Sequence, residues 1–376
     1  MTRQKGTVRI LINGMHAKSG GGLTYLKSAL PELAADSSLE LHLFLHRDQL
    51  ELIEPIDERV RVHLFDFPGG VLRLLLWEQL ALPVLARSMR AQVTLSPANY
   101  GPLAAPGSVI VLRNSLAVVG RETRISKRLY WLALAVMTAM SLFACRRAIS
   151  VSAYARRALT FGMGRWLGDR VAIVHHGVSG FFSPPAIGHE RKSFLLVVAD
   201  LYIQKNLHTL IVAMDRLRRK VPGIALRIAG KPVDPGYVAE LQRIVADREL
   251  QDCVHFVGSL DVWALRQHYQ DCLMLVFPST VETFGNPLVE AMACGAPIAC
   301  SNRAAMPEIV GDAAVYFDPL SPDDIENAIV RLLSDPALRH DLSRRGIQRA
   351  RNFSWQKTAA ATAEVLKSAA LNRPAS

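Results

Sequence analysis

Short apolar runs recur along the chain, separated by helix-length stretches. The first series is Val8 to Ile12, Leu39 to Leu45, Val60 to Leu64, Gln92 to Leu95, Val109 to Leu112, Ala148 to Val151 and Val171 to Val174. The second is Phe194 to Ala199, Ala225 to Ala229, Val254 to Val257, Leu273 to Phe277, Pro297 to Cys300 and Ala314 to Phe317. Consecutive apolar positions mark strands buried on both faces, as in parallel sheets covered by helices. Two series predict two doubly wound α/β domains, residues 1–180 and 181–354. The stretch from Ser179 to Lys192, rich in Pro, Gly and charge, reads as the linker.

One apolar stretch is different. Leu129 to Cys145 runs seventeen residues without a charge, with Arg124, Lys127 and Arg128 before it and Arg146 and Arg147 after it. A bilayer span needs roughly 20 apolar residues. A span here would also put two halves of one sheet on opposite sides of a membrane. The first reading is a helix packed on the sheet. The second is a helix lying partly in a membrane surface, its arginines on anionic lipid.

Composition narrows the function classes. At 376 residues the chain exceeds one ordinary core, and at 50% hydrophobic and 20% charged it is globular. Its net charge of +11 suits nucleic acid, anionic lipid or phosphorylated small molecules. No zinc knuckle, RRM-like or helix-turn-helix signature appears, so no nucleic-acid partner is expected. Cys145, Cys253, Cys272, Cys294 and Cys300 are scattered among apolar residues and read as buried thiols in a reducing compartment. Thr2 to Gly6 is short and polar, without the apolar core of a signal peptide. The expected location is the cytoplasm, or the inner face of the cell membrane if the basic surface binds it.

Candidate chemistry concentrates after the Leu273 to Phe277 run. Glu282 and Glu290 bracket Thr283-Phe284-Gly285-Asn286-Pro287-Leu288-Val289. The first carboxylate falls in a loop and the second in the opening turns of a helix. Gly285 permits close backbone approach, and Pro287 suits a helix start. The helix start favours an anion. Two hydroxyl-seeking carboxylates around a phosphate-seeking helix start suit a sugar joined to a phosphate. Asn13 to Tyr25 contains Gly20-Gly21-Gly22, whose backbone N–H groups can face an anion, without a Walker A ending or a G-x-G-x-x-G pattern. Lys205 follows the first strand of the second series, where an ammonium can neutralise a phosphate oxygen. His175 and His176 point to opposite faces of a strand, which argues against a paired metal site. No acidic D-x-D motif appears, so no metal is expected.

The segment Glu282 to Glu290 resembles the E-x7-E motif of the retaining glycosyltransferases of family 4. Asp271 to Ser279, Glu290 to Ile298, Leu201 to Leu207, Val254 to Gly258 and Ser354-Trp355 match the same family in order. The resemblance runs from about residue 194 onward and is weaker before that. It implies a GT-B architecture: two Rossmann-like domains facing each other across a cleft, with a terminal helix at about 355–376 packing back on the first. It further implies that Gly21 and Gly22 approach the donor pyrophosphate, that Lys205 binds phosphate, and that Glu282 lies near the donor sugar. Glu290 would bind ribose hydroxyls. Phe284, Gly285, Asn286, Pro287 and Leu288 would surround the donor, and Gly230, Lys231 and Gly258 would frame the base. Two positions depart from the family pattern. Asp200 stands where an arginine is usual, and Arg113-Asn114 stands where a His-Asp pair is common. Arg113 cannot act as a base, but it can bind the donor sugar or an acidic acceptor.

The activity implied is metal-independent hexosyl transfer with retention, from a nucleotide-diphosphate sugar to a saccharide or lipid-linked acceptor. No separate cofactor is expected, and the leaving diphosphate oxygen takes the acceptor proton. GDP-mannose and UDP-linked sugars are both open as donors. A nucleotide-sugar epimerase on the same fold and a degenerate membrane-associated scaffold are the alternatives.

Overall fold

The structure, a computed structural model, describes residues 7–18, 20–67, 70–116 and 125–371. Thr2 to Gly6, Ser19, Arg124 and residues 372–376 lie outside them, as does the side chain of Lys127. Each apolar run forms a strand. In chain order these are β1 (Val8–Asn13), β2 (Leu39–His46), β3 (Val60–Phe65), β4 (Val93–Ser96), β5 (Ser108–Leu112), β6 (Arg147–Ser150) and β7 (Val171–Ile173). Then follow β8 (Lys192–Val198), β9 (Ala225–Ala229), β10 (Val254–Gly258), β11 (Cys272–Phe277), β12 (Ile298–Ser301) and β13 (Val315–Phe317).

They build a seven-stranded sheet, β3-β2-β1-β4-β5-β6-β7, and a six-stranded sheet, β10-β9-β8-β11-β12-β13. All neighbouring strands are parallel. The central strands β4, β5 and β12 are buried along their whole length, while the edge strand β3 keeps exposed positions. Helices covering both faces leave only the edges to water.

Contacts gather the chain into two compact units, Met1–Gly177 with Trp355–Ser376, and Val178–Ser354. In the first, helix Trp355–Leu371 packs on helix Gly20–Ala34. Its Thr358 Oγ1 donates to the His175 carbonyl at 2.8 Å. Trp355 lies against Tyr25 and His176. In the second unit, Leu195, Val197, Met274 and Val276 of the sheet meet Leu210, Met214, Leu217, Ile325 and Ile329 of the helices in one core. Helix starts there are set by short polar side chains. Asp234, Asp261 and Ser321 accept from the N–H groups of Gly236, Ala264 and Asp324, each just before its helix. All five cysteines are free and buried.

The stretch 129–144 lies in helix Ile125–Ala144, and Cys145 follows its end. No helix among the described residues is long and apolar enough to cross a membrane. One face packs inward through Thr138, Ser141 and Leu142, and the other leaves Leu129, Leu132, Val136, Met140 and Phe143 about half exposed.

Candidate active site

In an open parallel sheet, ligands sit beyond the carboxyl ends of the strands where the order reverses, because the two flanking loops diverge and leave a crevice. In the second sheet that point lies between β8 and β11. The loop after β8 carries Asp200 to Asn206, and the loop after β11 carries Pro278 to Gly285.

Lys205 and Glu282 close that point. Lys205 Nζ donates to Glu282 Oε1 at 2.5 Å, with both side chains largely buried, and stands 5.2 Å from the Tyr202 ring centre. Burial opposes the lysine's charge, but Glu282 and Tyr202 outweigh it and hold the pKa above its ordinary value. Lys205 is therefore a fixed cation across the working pH range. Its placement is local in origin. Residues Ile203–Lys205 form a 3-10 turn, and Asn206 adopts the left-handed conformation (φ 55°) that asparagine tolerates. The Asn206 amide donates to the carbonyls of Pro278 and Pro319. Helix Leu207–Lys220 then starts with its first N–H groups bonded to Tyr237 Oη, at 2.8 Å and 3.3 Å. Those amides are satisfied by protein, so the positive charge here is that of Lys205.

Nearby, Gln204 Oε1 and Ser279 Oγ are buried without a hydrogen-bond partner. Buried polar atoms are rarely left so, and two at one crevice suit a polar ligand.

Glu290 lies on helix Asn286–Ala293, whose N-terminal cap is Gly285 at φ 92°. Only glycine adopts that backbone readily, and a side chain there would also press on Leu288. Tyr269, fully buried, donates its hydroxyl to Glu290 Oε2 at 2.9 Å. Burial raises the Glu290 pKa to about 7, and the Tyr269 hydrogen bond only partly offsets this. The remaining motif residues divide by role. Phe284 and Leu288 turn their side chains into the core, Phe284 against Phe353. The Leu288 N–H bonds the Gly285 carbonyl at 3.0 Å. Asn286 and Pro287 are partly exposed at the helix start.

The loops after β9 and β10 lie side by side. Gly230 N–H donates to the Gly258 carbonyl at 2.9 Å, and the Lys231 N–H donates to Asp200 Oδ1 at 3.0 Å. The Lys231 side chain is exposed. Asp200 thus tethers the β9 loop at the position where the family pattern has a cation.

In the first unit the structure joins two features that are far apart in the chain. The Arg113 guanidinium, after β5, lies over Gly22, which the structure puts in the first turn of helix Gly20–Ala34 rather than in the expected loop, and a Cβ on Gly22 would clash with that guanidinium. A Cβ built on Gly21 would lie 3.7 Å from Nη1 of the same group. Arg113 Nε donates to the Pro97 carbonyl at 2.7 Å. Burial lowers the Arg113 pKa to about 10, with Tyr25 opposing, so the group stays cationic at neutral pH. Among the described residues no group of three or more His, Cys, Asp or Glu is placed to hold a metal ion.

Residues 182–349, the body of the second unit, match the family model for glycosyl transferases group 1. The match covers this segment, a little under half of the chain, which is similar to that family. Similar proteins include the O-antigen chain mannosyltransferase B of Escherichia coli, 30% identical over 47% of this chain and 46% of that protein. Glycogen synthase of Mycobacterium tuberculosis is 32% identical over 52% of this chain and 48% of its own. The chain thus spans about half the length of the curated relatives it matches. Among solved structures, Anabaena HepE in complex with UDP-glucose superposes with a TM-score of 0.76 at 17% identity, covering 96% of this chain and 99% of the other. At that identity the likeness speaks for the fold, the GT-B pair of parallel sheets.

Sequence reasoning missed Tyr269, Tyr202 and the tethering role of Asp200. Tyr269 and Asp200 meet their partners through the fold, and nothing in the local spacing marks them; Tyr202 is brought to the nearby Lys205 by the turn between them. A buried tyrosine at the end of helix Val262–Asp271 reads as core until Glu290 is placed beside its hydroxyl.

Proposed function

We propose that the protein is a retaining, metal-independent glycosyltransferase that moves a hexose from a nucleotide-diphosphate donor to a saccharide or lipid-linked acceptor in surface polysaccharide or glycolipid synthesis. The observation that carries this reading is the pairing of Lys205 with Glu282 at the switch point of the second sheet, with Glu290 on the following helix. Lys205 supplies the charge that stabilises the leaving diphosphate. Glu290 accepts from the ribose hydroxyls, and Glu282 faces the donor sugar. Gly230, Lys231 and Gly258 border the base. Gly21, Gly22 and Arg113 supply a backbone and cationic surface for an anionic group. Mannose from GDP-mannose is the first donor to test, since one relative is named a mannosyltransferase. UDP-glucose is the second, since HepE, which shares the fold, was solved in complex with it.

The test is a thermal-shift panel of GDP, UDP and ADP, followed by transfer assays with the matching nucleotide sugars. One diphosphate should raise the melting temperature, by mass action on the folded state. Hydrolysis or transfer of its sugar should survive EDTA. No response to any diphosphate would remove the reading, and activity abolished by EDTA but restored by magnesium would remove its metal independence.

A membrane surface belongs to the same proposal. Leu72, Leu76, Leu80 and Val84, spaced by four along the helical stretch 71–88, are all at least half exposed. Helix Ile125–Ala144 has an exposed apolar face of its own, and both helices are tied to Gly101, by Gln79 and Ser141. Arg73 and Arg87 on the first stretch and Arg128 on the second are exposed as well, and exposed arginines on apolar helices fit anionic lipid. Binding to phosphatidylglycerol vesicles but not to phosphatidylcholine vesicles is expected. Leu80→Glu with Val136→Glu should abolish it while leaving the nucleotide thermal shift intact. Equal binding to both vesicle types would contradict the charge argument.

A further inference from the structure

The first sheet has its own switch point, between β1 and β4. The residues that meet there form a connected polar set. Glu78 is fully buried and engages both oxygens: Asn13 Nδ2 donates to Oε1 at 2.7 Å, and His16 Nε2 lies 3.1 Å from Oε2. His16 follows β1. Its other nitrogen, Nδ1, faces the hydroxyl of Tyr100, in the loop after β4, at 3.3 Å. The two rings meet edge to face, 5.0 Å apart. Glu78 sits on a π-helical turn, Trp77–Ala81, inside an otherwise α-helical stretch. Such turns are costly and concentrate at functional sites, because they re-aim a side chain.

The chemistry of the set is directional. A carboxylate oxygen accepts, so the Glu78 contact favours the tautomer with its proton on Nε2, and in that tautomer Nδ1 is left as an acceptor. A buried carboxylate that does no more than fix a ring nitrogen is a costly packing device. It is a useful one where a neutral acceptor of fixed tautomer must meet a ligand hydroxyl. The contact from Nδ1 to Tyr100 is long for an O–H donor, so a second hydroxyl can compete for it. His16 and Tyr100 both remain partly exposed.

We propose that His16, Glu78 and Tyr100 form a hydroxyl-binding site at the switch point of the first sheet, where His16 Nδ1 accepts a hydrogen bond from a sugar hydroxyl of the acceptor. Glu78 is the positioning residue and touches no ligand. Tyr100 supplies a second hydroxyl and a ring face for the sugar. The site rests on the glycosyltransferase reading but uses none of the residues assigned to the donor.

Imidazole nitrogen NMR on the full-length, ring-labelled protein tests it, with His16 assigned by the signal lost in His16→Gln. Wild type should show the Nε2–H tautomer, and Glu78→Gln a mixture of the two. Methyl glycosides of mannose, glucose and galactose, titrated as probes, should shift Nδ1 of His16 for at least one sugar. Tyr100→Phe, which removes one hydroxyl and keeps the ring, should weaken that glycoside about tenfold, the scale of one lost hydrogen bond. The nucleotide thermal shift should be unchanged in Tyr100→Phe. A purely structural set would leave Nδ1 unmoved by every glycoside, and that result overturns the site even with nucleotide binding intact. Loss of the nucleotide response in wild type would instead count against the donor reading, so the two failures are distinct. A wild-type tautomer mixture, or Tyr100→Phe binding as tightly as wild type, would also refute the proposal.

Discussion

Lys205→Ala lowers kcat by about 10²–10³, the scale set by removing one donor that stabilises a developing oxyanion, with a smaller loss of nucleotide-diphosphate affinity. The asymmetry follows from when the charge appears. The diphosphate gains negative charge as its bond to the sugar breaks, so a fixed cation helps the transition state more than the bound donor. Lys205 is fixed before any donor arrives, by Glu282 at 2.5 Å and by the Tyr202 ring. The usual second cation is absent from position 200, where Asp200 instead accepts from the Lys231 N–H. On the proposed reading, Lys205 therefore carries the role within its loop. Removing it leaves the largely buried Glu282 without its lysine, so thermal denaturation must show that the variant still folds. Lys205→Arg keeps the charge in a different shape and should recover part of kcat. Single-turnover transfer set beside nucleotide calorimetry is the measurement. Turnover within about twofold of wild type would end the phosphate assignment.

On the proposed reading, replacing Glu290 should act on binding rather than on the chemical step. Glu290→Ala should weaken the donor by about 1.5–3 kcal/mol, the range for hydrogen bonds to a charged group, with kcat at saturating donor nearly preserved. The raised pKa of about 7 adds a pH signature. The folded protein holds this proton more tightly than the unfolded chain, whose glutamate titrates near 4.5. The group's contribution to stability is thus fully present below about pH 4.5 and is lost as pH rises through 7. A ribose diol donates to the carboxylate and favours its ionised form. Donor affinity should therefore rise with pH up to about 7, with a proton released on binding below that pH. Calorimetry in two buffers of different ionisation enthalpy reads that proton directly. Unchanged donor affinity in the alanine variant, or no proton release at pH 6, would remove Glu290 from the ribose site.

The legible part of the site was the part written in consecutive residues. Glu282 to Glu290 is a loop and one helix start, so glycine, proline and two carboxylates marked it without any knowledge of the fold. Lys205 was singled out only through the resemblance of Leu201 to Leu207 to the family, since a lysine between a strand and a helix is by itself most often a solvated charge. Asp200, Tyr202 and Tyr269 were not. A carboxylate or phenol takes its role from what lies opposite, and Tyr269 reaches Glu290 from another helix. Phe284 and Leu288 show the converse, since their side chains serve the core while the backbone shapes the loop.

The same division holds for the whole molecule. Among the described residues, the thirteen strands and their parallel setting were legible in the chain, because strands buried on both faces must be apolar at successive positions, a signal confined to a few residues. So was the cluster around Glu282 and Glu290. Tertiary structure alone decided the strand order, and with it the two switch points. It also decided which face of helix Ile125–Ala144 stays exposed, the bond between Lys205 and Glu282, the raised pKa of Glu290, and the meeting of His16, Glu78 and Tyr100. These depend on desolvation and on contacts between residues tens of positions apart. Both arise only when the sheets close around them, and neither leaves a periodic trace along the chain.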